Sequence, residues 1–143
     1  MRIPSSIVTL AMLAATPCLA QVPAPAGFPD LRGTWKGQSE SIVSNGGNPH
    51  HATPPENQPR LSSIPFTMTI DQQDGRRFSG TFSSPRSSEP VIGVISHNGQ
   101  ILLVDSDGYG TGTLLGPDRL ESCYLQIGPQ GRVASCTEMT RQR

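Results

Sequence analysis

Few residues in this chain stand where chemistry would need them. His50 and His51 are adjacent and could supply half of a metal site. On an extended chain, though, neighbouring side chains point to opposite sides. The third histidine, His97, is far away in sequence. The pair is therefore read as part of a mobile polar loop, and no metal is assigned. Asp105, Asp107 and Gly108 (VDSDGYG) have the outline of a calcium loop. They lack the third acidic position and the terminal Glu of an EF-hand, and Asp-Gly is already accounted for as a hairpin turn. Arg76-Arg77 could hold an anion, but beside Asp71 and Asp74 it reads as solvated charge. Nucleophilic catalysis would need a Ser or Cys with a base in reach. No nucleophile elbow surrounds any Ser, and Glu121 and Glu138 would need a cleft to act as an acid–base pair. The expectation is a non-enzymatic protein with no catalytic residue and no cofactor.

The cysteines carry a firmer signal. Cys18 falls in a short export segment, which leaves Cys123 and Cys136. An even count in an exported chain predicts a disulfide. The segments Arg119 to Ile127 and Arg132 to Met139 flank Gly128-Pro129-Gln130-Gly131. Folding that hairpin about Pro129-Gln130 sets 123 opposite 136, close enough to bridge.

The elements that would position these residues are strands. Phe66, Met68 and Ile70 alternate with Thr67, Thr69 and Asp71, the period of a half-buried strand. Asp74-Gly75 is expected to supply the positive φ angles of a two-residue turn. Phe78, Gly80 and Phe82 alternate on the way back. Leu31 to Val43 reads as the first strand, Glu89 to His97 as the fourth and Gln100 to Ser106 as the fifth. Tyr109 to Leu115 follows as the sixth, and the cysteine hairpin supplies the last two. Asn98-Gly99, Asp107-Gly108 and Gly116-Pro117-Asp118 supply turns. The stretch 44–63 holds Gly46-Gly47, Pro49, Pro54-Pro55 and Pro59, a composition in which no regular element is expected. A connection of about twenty residues is unusual in a compact domain and often functional.

Consecutive hairpins without helical periodicity predict an all-β protein, an antiparallel eight-stranded up-and-down barrel. Closure removes the exposed edges of such a sheet. A two-sheet sandwich is the alternative. Gly80, Gly93, Gly110 and Gly112 would serve the bends of a small barrel.

The chain has 143 residues, enough for one domain with a modest core. Met1-Arg2, the apolar run Ile7 to Ala15, Pro17 and Ala20 follow the layout of a signal peptide spanning 1–20. That run is too short to span a bilayer. A lipoprotein anchor on Cys18 is the competing reading, although Ala15-Thr16-Pro17 is a poor lipobox. Residues 21–30 are a proline-rich leader, and 31–140 form the barrel domain with its long loop at 44–63. Cleavage removes one of eleven basic residues and none of the eleven acidic ones. Nothing in this balance provides the clustered basic face of a nucleic-acid binder. A periplasmic or secreted protein is expected.

Gly33-Thr34-Trp35 resembles the G-T-W opening of avidins and, more loosely, the G-x-W of lipocalins. Met68-Thr69-Ile70 followed by Phe78-Ser79-Gly80-Thr81-Phe82 resembles the avidin second and third strands. The resemblance implies an avidin-like or calycin-like barrel with a pocket at one mouth and Trp35 in its floor. It does not extend to biotin. Gly37 stands where avidins have an Asn, and Phe82 where they have a Tyr. Further pocket Trp residues are absent, while Ser41 and Ser84 fall at polar pocket positions.

Two functions are consistent with this outline. The first is a binding module with a small, largely apolar ligand inside the barrel, touching Trp35, Ser41, Phe66, Phe78, Phe82 and Tyr109. The second is a protein-binding barrel with a filled interior, inhibiting an exported protease or lysozyme through the 44–63 loop or the leader. The partner is thus a small molecule or an exported protein, with neither nucleic acid nor membrane span.

Overall fold

The computed structural model describes residues 27–45, 48–52, 58–128 and 131–143. The expected signal peptide lies outside them, as do most of the leader, parts of the long loop and the Pro129-Gln130 turn centre.

Nine strands follow in order, and no helix interrupts them among the described residues: β1 (Gly33–Ser44), β2 (Arg60–Ser62), β3 (Pro65–Asp74), β4 (Arg77–Ser83), β5 (Ser88–Ile95), β6 (Ile101–Val104), β7 (Tyr109–Gly116), β8 (Arg119–Gly128) and β9 (Gly131–Arg141). All pairings are antiparallel, and from β3 onward each strand lies beside its successor in the chain. β1 also pairs with β9 along Trp35↔Arg141 to Ser44↔Arg132, so the sheet closes on itself. The result is an eight-stranded up-and-down barrel, and the sandwich is set aside.

The short β2 departs from the expectation that 44–63 holds no regular element. It continues the line of β3. Gln38 faces Pro65 and Ser41 faces Ser62, three residues further along each strand, so the register is unbroken. In the gap, Ser39 N–H donates to the Ile64 carbonyl at 2.9 Å, and Ile64 N–H donates to Ser39 Oγ at 3.2 Å. Regular pairing thus extends to Arg60 on this line, opposite Val43 of β1.

Inward and outward side chains alternate along every long strand. The half nearer Asp30 and Arg141 is apolar: Trp35, Ile70, Phe78, Ile95, Ile101, Leu120 and Met139 are buried there. Burying such a side chain contributes about 1.5–3 kcal/mol. Leu31 caps this end. Its carbonyl accepts the Trp35 indole N–H at 2.9 Å, and its own N–H donates to Gln73 Oε1 at 2.8 Å. Arg141 stacks over the Trp35 ring with its guanidinium carbon 4.2 Å from the centroid. Gln73 Nε2 also donates to the Pro29 carbonyl, which ties the last leader residues to the floor.

Three turns differ in detail from expectation. The β3–β4 turn is centred on Gly75-Arg76, with Asp74 already paired to Arg77, and only Gly75 has positive φ. In the β5–β6 turn Ser96 N–H donates to Gln100 O, and Gly99 alone takes the left-handed conformation. That is a three-residue loop rather than the two-residue Asn-Gly turn. In the β6–β7 turn neither Asp107 nor Gly108 has positive φ. Glycine is needed there for space, because a Cβ at 108 would lie 2.1 Å from the Tyr124 hydroxyl.

Cys123 and Cys136 face each other across β8–β9 with Cα atoms 4.0 Å apart, and they are bonded. Their side chains lie on the outside of the barrel, beside outward Thr111 and Glu40.

Candidate functional site

The barrel end opposite the Trp35 floor is lined differently. Ser39, Ser41, Ser122, Gln126 and Thr137 point inward there and are buried. Each occupies an inward position that strand alternation would fill with an apolar side chain in an ordinary core. Here the positions face a small cavity and a lid.

The lid is residues 48–52. Asn48 begins it with a side-chain turn: its Oδ1 accepts the backbone N–H of His50 at 2.8 Å and of His51 at 3.2 Å. Its Nδ2 donates to Gln126 Oε1 on β8 at 2.7 Å. The turn drives both imidazoles down into the mouth, where His50 is 3% and His51 4% exposed. This corrects the reading of the histidines as part of a mobile polar loop. Periodicity could not reveal it, because the side-chain turn at Asn48 overrides the opposed directions of an extended chain.

His50 is held on both ring nitrogens and packs against a stacked pair of phenyl rings. Nε2 is 2.8 Å from Glu89 Oε1, and Nδ1 is 2.9 Å from Ser84 Oγ. A carboxylate only accepts, so Nε2–H is the donor, and in the neutral ring Nδ1 then accepts the Ser84 hydroxyl. Ser84 Oγ in turn accepts Arg86 N–H, and Glu89 Oε2 accepts the Ser106 hydroxyl. Phe66 and Phe82 stack at 4.6 Å between centroids, and the His50 ring meets both edge-on at 5.3 and 6.0 Å. His51 Nδ1 pairs with Ser62 Oγ on β2 at 3.0 Å. Burial, and then the neighbouring His50, lower the pKa of His51 from its ordinary 6.5.

A second network closes the far wall. The Tyr124 hydroxyl lies 2.9 Å from Asp107 Oδ1 and 3.1 Å from Asp105 Oδ1, and Gln126 Nε2 donates to Asp107 Oδ2. Burial first, then these carboxylates, keep the phenol protonated well above its usual range. Asp105 Oδ1 also accepts the N–H groups of Asp107 and Gly108. Carboxylate oxygens of Glu89, Asp105 and Asp107 lie within 4.8 Å of one another. Each of the three is engaged by hydroxyl, amide or imidazole donors. The space left between lid and walls measures about 20 Å³ and is lined by Phe66, Phe82, Glu89, Ser122, Tyr124 and Thr137 among others. That is room for about one ordered water.

The expected interior residues divide into four groups. Phe66 and Phe82 flank the lid. Ser41 lies on the polar wall, within hydrogen-bond reach of Ser39 Oγ at 3.1 Å and Ser135 Oγ at 2.7 Å. Trp35 and Phe78 are packed in the apolar half. Tyr109 is corrected: it faces outward on β7 and is 51% exposed. The roomy apolar cavity that these residues were expected to share is filled by side chains. Sequence reasoning passed over Asn48, Glu89, Tyr124 and Gln126. Alternation could have marked the last two as inward polar positions. Ser84, singled out by the avidin resemblance, is a partner of His50. Glu121 and Glu138 face each other on the outer surface, with Arg119 bonded to Glu138. Arg77 pairs with Asp74, and Arg76 contacts His97.

No protein-family model matches the chain, and no curated protein does. Among solved structures it is similar to the S-type phycobiliprotein lyase CPES from Guillardia theta, with a TM-score of 0.37 and 12% sequence identity over 79% of this chain and 89% of that one.

Proposed function

We propose that this chain is an exported, non-enzymatic binding barrel whose mouth takes a small hydrogen-bonding molecule when residues 48–52 lift away. One observation carries the reading. His50 is treated by the barrel as a ligand would be, with Ser84 and Glu89 on its two ring nitrogens and the stacked Phe66–Phe82 pair meeting its ring edge-on. Buried polar groups are costly unless each is satisfied. A wall of them behind a short segment of loop suits exchange between that segment and a soluble molecule of like chemistry. The ligand class is therefore a flat nitrogen heterocycle or a similar small polar molecule, in place of the largely apolar one expected from sequence. Export rests on the signal-peptide pattern, and the Cys123–Cys136 bond is consistent with it. No helix among the described residues is long and apolar enough to cross a membrane. We read the barrel as avidin-like or calycin-like in shape, with Trp35 at the floor.

Native mass spectrometry of the protein purified from its own source tests the proposal, with His50→Ala alongside. A retained small molecule, or imidazole binding by His50→Ala seen as shifts of the Phe82 and Glu89 amides, supports it. A bare mass together with no imidazole binding overturns it. The second reading, a barrel that inhibits an exported protease or lysozyme, draws support from the filled interior. The lid argues the other way, since it reaches into its own barrel and not outward.

A further inference from the structure

The strand registers arrange the outward side chains in rows around the barrel. Ile92, Val104, Tyr109, Leu125 and Ala134 are successive cross-strand partners from β5 to β9, and the row continues through Ile42 to Leu61. All seven are exposed, Ile92 at 59% and Leu61 at 84%. Two residues along, Val94, Leu102, Thr111, Cys123 and Cys136 form a second row on the same strands. Neither row contains a charge between β5 and β9. Charges resume at Arg77 on β4 and Glu40 on β1. On an ordinary barrel the outward positions are polar, so two adjacent uncharged rows single this face out from the rest of the barrel wall.

The relief of this face says what fits it. Tyr109 stands between two hollows. One is lined by Ile92, Val94, Leu102 and Val104, the other by Thr111, Cys123, Leu125 and Ala134. The patch thus carries a knob and, directly beside it, a hole of apolar walls. A two-fold interface between identical chains requires this, because the same patch must supply both sides of every contact.

We propose that the outer face of β5–β9 is an isologous interface, in which a second copy seats its Tyr109 between Ile92, Val94, Leu102 and Val104. Strand spacing of about 4.8 Å makes two rows over five strands roughly 300 Å². A standard interface buries about 800 Å² per partner, so these rows would form its centre, with Arg77, Thr113 and Glu40 and further surface around them as its polar rim. Without residues 1–20 the chain has ten basic and eleven acidic residues, too small a net charge to drive two copies apart. The mouth lies at the strand ends and stays open to solvent in such a pair.

Sedimentation velocity and light scattering over a concentration series test this on the purified chain. A dimer with micromolar or tighter dissociation is expected. Tyr109→Arg and Leu102→Glu, each at an exposed position, should yield monomers whose circular dichroism and melting remain those of a folded barrel. Leu61→Arg, at the far end of the row, should leave the dimer intact. A wild-type monomer at every concentration overturns the proposal. So does a dimer that survives both substitutions, or one that only Leu61→Arg disrupts.

Discussion

His50 Nε2 lies 2.8 Å from Glu89 Oε1 with both side chains withdrawn from solvent, so one buried bond joins the lid to β5. Glu89→Ala leaves the imidazole N–H without a partner, a loss of about 1–3 kcal/mol. The cost falls on the closed lid and not on the barrel. Exchange of the His50 and His51 amides should therefore quicken about tenfold or more, while the amides of β8 and β9 keep their protection. Unchanged exchange in the lid would show that Glu89 is no latch.

Acid should open the same segment. The folded-state pKa of His51 is depressed by burial, so the closed lid binds this proton less readily than the open one. Its closure is fully present above the ordinary pKa of 6.5 and is lost as pH falls from there through the depressed value. Relative to the intrinsic exchange rate, which itself falls with acidification, lid amide exchange should accelerate between neutral and mildly acidic pH. In His51→Gln, which keeps a polar contact for Ser62 but does not titrate, that extra acceleration should vanish.

Two glycines on the barrel wall predict a ranking. A Cβ at Gly80 would fall 1.9 Å from the Thr69 carbonyl oxygen, a backbone atom that cannot turn aside. Overpacking ordinarily costs about 1–3 kcal/mol, and Gly80→Ala should reach or exceed the top of that range. A Cβ at Gly116 meets nothing within 4 Å, so Gly116→Ala should change stability by about 0.5 kcal/mol or less. Urea unfolding of the two variants checks the order.

The Cys123–Cys136 bond closes a short loop, with a sequence separation of 13. Its removal in a Cys123→Ser, Cys136→Ser double variant should cost about 3 kcal/mol through the unfolded chain. Because the bridge lies outside the barrel, the β-sheet circular dichroism and the lid protection of the folded variant should match the parent. Thermal or urea melting reads the first effect, and hydrogen exchange the second.

The barrel was legible because its signals are local. The alternation of Phe66, Met68 and Ile70 sets a face, and the cysteine spacing sets a register that the structure reproduces residue for residue. The turns were located within a residue or two, but their backbone forms were not. Gly108 answers to a side chain, Tyr124, that arrives from two strands away in the chain. The lid was illegible for the same kind of reason. Nothing near His50 in sequence says that Glu89 and Ser84 wait for it across the barrel, and the bond geometry of one Asn48 turn decides which way the ring points. Tyr109 was misplaced because YGTGTLL alternates glycines with polar residues, so its pattern alone does not say which set faces in.

The seam between β1 and β9 has a kinetic meaning. From β3 to β9 each pairing is a hairpin between neighbours, and these can form while the rest of the chain is still loose. The seam alone joins the two ends of the described chain, and its ten partner pairs must wait until the whole circuit has been laid down. The loop-closure entropy of the barrel is concentrated at that step, and topologies dominated by such contacts fold in milliseconds to seconds. Changes along the seam, at Ser41 or Ser135 for example, should thus appear chiefly in how fast the barrel comes apart, and little in how fast it forms.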